Sequence, residues 1–368
     1  MVNTPFIPGL ELCYMFFHDV VEPILEETLP NLRYAAALIG SGSEVLGFDT
    51  EMSSDHHWGP RVMLFLDEND HSQYAVAIHE IMANRLPYTF RGYSTNFTPP
   101  DPNDNGTQLL SVIDSGPVNH RVETLSLRAY CLEYLGIEPN IELTPIDWLT
   151  IPGQKLHAMT GGAVYRDDIG ELTKIREILS EYPNDVWLYI LAAGWTRISQ
   201  EEPFMGRTGI VDDELGSRII ASRLVHDLMN LCFLMDRQYP PFCKWFGTAF
   251  KKLECSNLLL PIFRSVFDAA DWREREKQLA SAFKLVAEMH NALNITRALP
   301  EDVSNFHNRP IMVIHGEIFA NAIKEQIRNP EVLRISHMTD IGAVEQFSSS
   351  TDVLTDTRIC RKLRTLYL

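Results

Sequence analysis

Residues 38–58 read LIGSGSEVLGFDTEMSSDHHW: an apolar run ends in a glycine-serine pair, and Asp55-His56-His57 follows further along. In GSEVLG (42–47), glycine lets the backbone approach an anion closely. Amides at a helix N-terminus favour negative charge, and a serine hydroxyl adds a hydrogen bond. Gly42 and Ser43 are therefore candidate phosphate-binding residues. No Gly-Lys-Ser/Thr follows, so this is not a Walker loop. Asp55 offers a carboxylate just before the next apolar run. His57 shares its face if the segment is extended. Glu123, in HRVETL, supplies a third candidate ligand. Carboxylates gathered beside a phosphate cradle suit metal-assisted phosphoryl or nucleotidyl transfer, in which Mg²⁺ neutralises phosphate charge and activates the attacking oxygen. Taken alone, an Asp-His-His run is more often a surface loop than a metal site.

Other residues carry weaker signals. His79-Glu80 resembles the start of HExxH, but residue 83 is alanine, so the zinc-protease reading fails. Arg121 shares a face with Glu123 on an extended strand, where it meets phosphate, pairs with an acid, or lies at the surface. Arg223 and His226 face together on a helix. Lys244, after the Pro240-Pro241 break, is a point charge suited to a triphosphate. Trp245, Phe246 and Phe250 read as core. Glu201-Glu202 and Asp212-Asp213-Glu214 read as solvated helix ends, one of which would serve as a general base.

The elements that must position these groups follow from hydrophobic period and breakers. Residues 10–29 have helical spacing, with Pro23 able to kink or break the helix. YAAALIG (34–40) and RVMLFLD (61–67) read as strands, and SEVLG (43–47) as a helical turn or the start of a short helix. HSQYAVAIHEIMANRL (71–86) reads as an amphipathic helix. YTFRGYS (88–94) and VNHRVETLSL (118–127) read as further strands, and TPPDPNDNGTQ (98–108) as a loop. From about 155 to 295 the pattern is almost all helical, broken at Pro183, Pro203 and Pro240-Pro241. RPIMVIH (309–315) reads as a strand returning to a sheet, followed by a helix. The basic amphipathic tail, DTRICRKLRTLYL, is expected to dock on the acidic body. The expected fold class is α+β: residues 1–150 form an α/β domain, 151–300 a helical bundle, and 301–368 a strand-helix extension packed on the body.

Composition bounds the function classes. The chain has 368 residues, 45% hydrophobic and 22% charged, with a formal net charge of −17. Such a charge disfavours broad binding to nucleic acid or anionic membrane, which need a positive surface, but leaves room for a local basic pocket. No apolar run reaches the roughly 18 residues of a membrane span. The N-terminus has no basic region before its apolar stretch and does not read as a signal peptide. Six scattered cysteines without a CxxC pair fit reduced thiols. A cytoplasmic location is the expectation. Oligomeric state is not legible.

GSEVLG, then SSDHHW, then a strand resembles the nucleotidyltransferase superfamily that includes DNA polymerase β and the kanamycin nucleotidyltransferases. That pattern is Gly-Ser, a gap, Asp-x-Asp/Glu, and a later acid on another strand. YAAALIGSGSEVLGFDTE, DHHWGPRVMLFL, PIDWLTIPGQKL, DVWLYILAAGW, DELGSRIIASRLVHDLMNLCFLM and YPPFCKWFGTAF together are most similar to an uncharacterised domain-of-unknown-function branch (DUF4037-like). The resemblance implies a nucleotidyltransferase-like mixed sheet followed by a helical bundle. It implies phosphate binding at Gly42 and Ser43, with Asp55 as first metal ligand and Glu123 as third acid. It also places Lys244 and Arg223 toward the nucleotide. His57 stands where the second acid belongs. Leu46 stands where small members often carry a basic residue, and Trp58-Gly59-Pro60 separates the acids from the strand. An imidazole for a carboxylate removes a negative charge and favours Mn²⁺, Co²⁺ or Zn²⁺ over Mg²⁺.

The leading expectation is metal-dependent transfer of a nucleoside monophosphate from an NTP, ATP first, to a hydroxyl of a small molecule or protein, with Mg²⁺ or Mn²⁺ held by Asp55, His57 and Glu123. The alternatives are a catalytically silent nucleotide or small-molecule binder, for which His57 is the main argument, and a biosynthetic enzyme that reuses the same cleft.

Overall fold

The computed structural model describes residues 6–368. Its contacts divide the chain into two units. The first runs through Glu142 and resumes at Lys155–Ser180; the second takes Leu143–Gln154 and Glu181–Leu368. The fold is α+β: a mixed sheet with helices in the first unit, and a helical second unit.

The first unit begins with α1 (Gly9–Phe16), a π-helical segment (Phe17–Val21) and α2 (Glu22–Thr28). Pro23 does not break this run: the helix continues through it, with the π-helical segment in the turn before the proline. Next come β1 (Ala35–Leu38), β2 (Arg61–Leu66) and α3 (Glu68–Arg85), the last capped by Asp67 through the amides of Asn69 and Asp70. A two-residue hairpin, β3 (Thr89–Phe90) and β4 (Tyr93–Ser94), precedes β5 (Arg121–Ser126) and α4 (Leu127–Tyr134). The sheet order is β5-β2-β1 with a fourth strand, β6 (Ala163–Asp167), on the far edge. β1 runs antiparallel to both neighbours, whereas β2 and β5 are parallel. YTFRGYS is thus a separate hairpin, and β6 is a strand inside the stretch read as helical.

Alternation along β2 places its groups. Val62, Leu64 and Leu66 join the core with Leu12 and Phe16 of α1 and Ile78 and Met82 of α3. Side chains alternate across a strand, so Arg61, Met63 and Phe65 occupy the opposite face. The parallel register sets Arg61 beside Arg121 and Met63 beside Glu123.

The second unit holds α5 (Pro145–Thr150) and the start of α6 (Gly153–Thr160), while α7 (Glu171–Ile178) belongs to the first unit. Its body is α8 (Asn184–Ile210) packed on α9 (Glu214–Met235), with α10 (Phe246–Phe250), α11 (Ser256–Asp268), α12 (Trp272–Ala292), α13 (Gly316–Lys324) and α14 (Pro330–Met338) around them. α8 runs through Pro203 rather than breaking there. RPIMVIH forms β8 (Met312–Val313), which pairs only with β7 (Ser304–Asn305) and does not rejoin the larger sheet. Glu202 is not a solvated helix end: it is buried, and its carboxyl accepts the amides of Ile314, His315 and Gly316 at 2.6, 3.2 and 3.1 Å. The tail docks within this unit through an Arg364–Asp147 ion pair and a Tyr367 hydroxyl bonded to the Gly342 carbonyl. Among the described residues no helix is long and apolar enough to cross a membrane.

Candidate functional site

The glycine-serine turn leaves β1 without entering a helix. Residues 43–47 form hydrogen-bonded turns, closed by Phe48 N–H to the Ser43 carbonyl (2.8 Å) and Gly47 N–H to the Glu44 carbonyl (3.2 Å). The expected helix N-terminus behind Gly42 and Ser43 is therefore absent, and helix-end amides contribute nothing to an anion there. Gly42 has φ +153°, and a Cβ there would lie 2.8 Å from Glu44 Oε2 and 3.0 Å from Arg61 Nη2. The turn is thus folded against a buried ion pair. Arg61 reaches Glu44 Oε1 with Nη2 (2.5 Å) and Nε (3.0 Å), and both residues are almost wholly enclosed. Charge attraction to Glu44 outweighs burial and leaves the Arg61 guanidinium more firmly protonated than usual.

Asp55 follows a short 3-10 turn (Glu51–Ser53) and is mostly exposed; its carboxylate lies 3.0 Å from His56 Nδ1. His56 in turn stands 3.8 Å from Asp104. His57 has a left-handed backbone (φ 55°), and its amide is tied to the Gln108 carbonyl (3.0 Å). Its Nδ1 is buried and, among the described residues, has no hydrogen-bond partner. Burial lowers the His57 pKa, and Arg121 and Arg61 lower it further against the opposing pull of Glu123. The imidazole is therefore held toward its neutral form by two guanidinium groups.

Glu123 is half-buried, and its Oε1 is taken by Arg121 through Nη2 (2.6 Å) and Nε (3.2 Å). Arg121 is largely enclosed, and its Nη1 is buried without a hydrogen-bond partner. One sheet face thus gathers Arg61, Arg121, Glu123 and, at its edge, His57. Two of its polar atoms, Arg121 Nη1 and His57 Nδ1, are left unsatisfied, a condition that normally costs stability.

The expected metal ligands are not assembled. Among the described residues, no group of three or more His, Cys, Asp or Glu side chains is placed to hold a metal ion. Asp55 faces His56, Glu123 is engaged by Arg121, and His57 sits beside two guanidinium groups. Arg61 is paired with Glu44 and Arg121 with Glu123, so this face has no net negative charge to draw a divalent cation. Asp55, His57 and Glu123 therefore do not fit a preformed Mg²⁺ or Mn²⁺ site. Arg61 and Glu44 are the site groups that motif spacing missed, whereas Arg121, read as facing with Glu123, pairs with that acid. The available signal was a charge opening the apolar run RVMLFL and an acid inside the glycine-serine turn.

Arg223 and Lys244 belong to the helical unit. Arg223 pairs with Glu201 (2.7 Å), and Lys244 lies over the Trp245 ring at 4.3 Å from its centroid. Phe250 is core, as expected, whereas Trp245 and Phe246 are half-buried.

Residues 148–246 match the family model described as a domain of unknown function (DUF4037). Among solved structures, the chain is similar to a nucleotidyltransferase-like protein from Exiguobacterium sibiricum 255-15, at 8% identity and a TM-score of 0.28, covering 81% of this chain and 97% of that one. No curated protein matches.

Proposed function

We propose that the first unit binds the phosphates of a nucleotide on the face formed by Arg61, Arg121 and His57, beneath the Gly42-Ser43 turn, without a resident divalent metal. One observation carries this reading: two enclosed guanidinium groups stand side by side on paired strands, and a cationic donor, Arg121 Nη1, and His57 Nδ1 are buried without partners. A phosphate oxygen satisfies Arg121 Nη1, and His57 Nδ1 in the tautomer that carries its proton there, with charge-assisted hydrogen bonds. The net charge of −17 discourages long polyanions.

A second reading keeps nucleotidyl transfer from an NTP, ATP first, to a hydroxyl of a small molecule or protein. It is favoured by the exposure of Asp55 and Glu123 to solvent and by the resemblance of GSEVLG and SSDHHW to the transferase pattern. It requires Asp55, His57 and Glu123 to be drawn together with Mg²⁺ or Mn²⁺. The two readings separate in one calorimetric experiment with ATP, GTP, CTP and UTP, with and without Mg²⁺ or Mn²⁺, on wild type and Asp55→Ala. Phosphate binding by the arginines gives affinity that survives metal removal and the loss of Asp55. Binding that needs both metal and Asp55 gives the site to transfer. Absence of binding in every condition rejects both.

A further inference from the structure

The helical unit carries a groove of its own, made of two adjoining hollows of about 170 and 370 Å³ that share His226, Asn230, Leu234 and Glu345. One wall is apolar and ring-bearing, with Tyr182, Pro240, Phe242 and Phe246. At the meeting point of the hollows, Glu345 offers a carboxyl with unequal oxygens. Oε1 accepts the Tyr182 hydroxyl at 3.2 Å, whereas Oε2 is buried and has no partner. The other charged residues of the groove are already paired: Arg197 with Asp227 at 2.8 Å, and Arg223 with Glu201 at 2.7 Å.

Burial raises the Glu345 pKa; the Gly153 amide, its own amide and the Tyr182 hydroxyl act the other way. Tyr182, Tyr239 and Tyr367 are ionisable groups that feel its charge, none of them cationic. His226, also in the groove, points to Asp227 and Asn230 instead. An enclosed carboxyl with one free oxygen and no cationic neighbour lacks a donor, and the site is apolar enough to exclude competing water from most of a ligand's body.

We propose that this groove binds a small molecule with an aromatic body and a primary amine, the amine donating to Glu345 Oε2 while the ring packs against Tyr182, Phe242 and Phe246. The proposal goes beyond phosphate binding, because every residue in it belongs to the helical unit. An ammonium reaching Glu345 brings a positive charge to the carboxyl as well as a hydrogen bond, and its alcohol isostere brings the hydrogen bond alone.

The test is titration of the full chain with 2-phenylethylamine and 2-phenylethanol, for wild type, Glu345→Gln and Phe246→Ala. Wild type is expected to favour the amine on the order of tenfold, Glu345→Gln to abolish that preference, and Phe246→Ala to weaken both probes while keeping the preference. Equal affinity of the two probes for wild type, or binding of neither, overturns the proposal. If Glu345→Gln does not fold, Phe246→Ala decides: an unchanged affinity for the amine places binding elsewhere and overturns it as well.

Discussion

The Glu44–Arg61 pair makes a prediction whose size follows from burial. Glu44 is 4% exposed and Arg61 is 7% exposed. Beyond Glu44, the Arg61 guanidinium has one further long contact, Nη2 to the Ser41 carbonyl at 3.4 Å. Glu44→Gln keeps the shape but removes the counter-charge, leaving an enclosed cation. Breaking a buried pair from one side costs about 3–5 kcal/mol, and the amide oxygen of glutamine places this change at the lower end of that range. The loss is local to the first unit, so it is read by hydrogen exchange across β2 (61–66) and β5 (121–126) together with urea denaturation. A control sharpens the result. Glu44→Gln combined with Arg61→Met removes both charges and is expected to recover most of the loss, because an apolar replacement avoids desolvation altogether. A single-variant loss below about 1 kcal/mol, or a double variant no more stable than the single, would refute the reasoning that this pair is buried and mutually dependent.

Three further outcomes follow. Gly42→Ala puts a Cβ against Glu44 and Arg61 and should destabilise the first unit by about 1–3 kcal/mol, measured by urea denaturation; a neutral effect would show that the turn yields easily. His57→Asp keeps a residue tolerant of positive φ but adds an acid beside Arg61 and Arg121. It should weaken ATP binding in the absence of metal and introduce Mg²⁺ dependence, read by calorimetry; stronger metal-free binding would contradict the anion role of this face. Burial pushes the Glu202 carboxyl up to about 7, against the pull of three backbone amides. The folded state then holds a proton that the unfolded state has released. Stability should therefore fall as pH rises from about 4.5 through about 7, with a slope approaching one proton. Glu202→Gln should flatten that slope in urea midpoints measured across pH, and an unchanged slope assigns it to other groups.

Much of the fold was legible because local signals agreed with it. β1 and β2 announce themselves as short apolar runs beside turn residues, and α3 by an amphipathic stretch, although its first turn and the Asp67 cap precede that stretch. β6 was not legible: AVYRD is short, half-buried at every position and set between helices, and only its long-range pairing with β1 makes it a strand. Pro203 read as a break, yet α8 continues through it, in contact with its neighbours along its length. At the candidate site, the motif drew attention to the loop but not to the charge balance around it. His57 was visible as an oddity among acids. The two arginines that give it meaning stand on separate strands and meet only through the parallel register of β2 and β5. Glu202 shows the same limit: its three amide partners lie more than a hundred residues away.

The central claim is that Arg121 and Arg61 hold phosphate without a metal. Its most direct test is calorimetric titration of ATP into wild type and Arg121→Gln with all divalent ions chelated. The account predicts measurable binding to wild type, weakened on the order of tenfold or more when the guanidinium is lost. No binding without a divalent ion, or binding indifferent to Arg121, would contradict it.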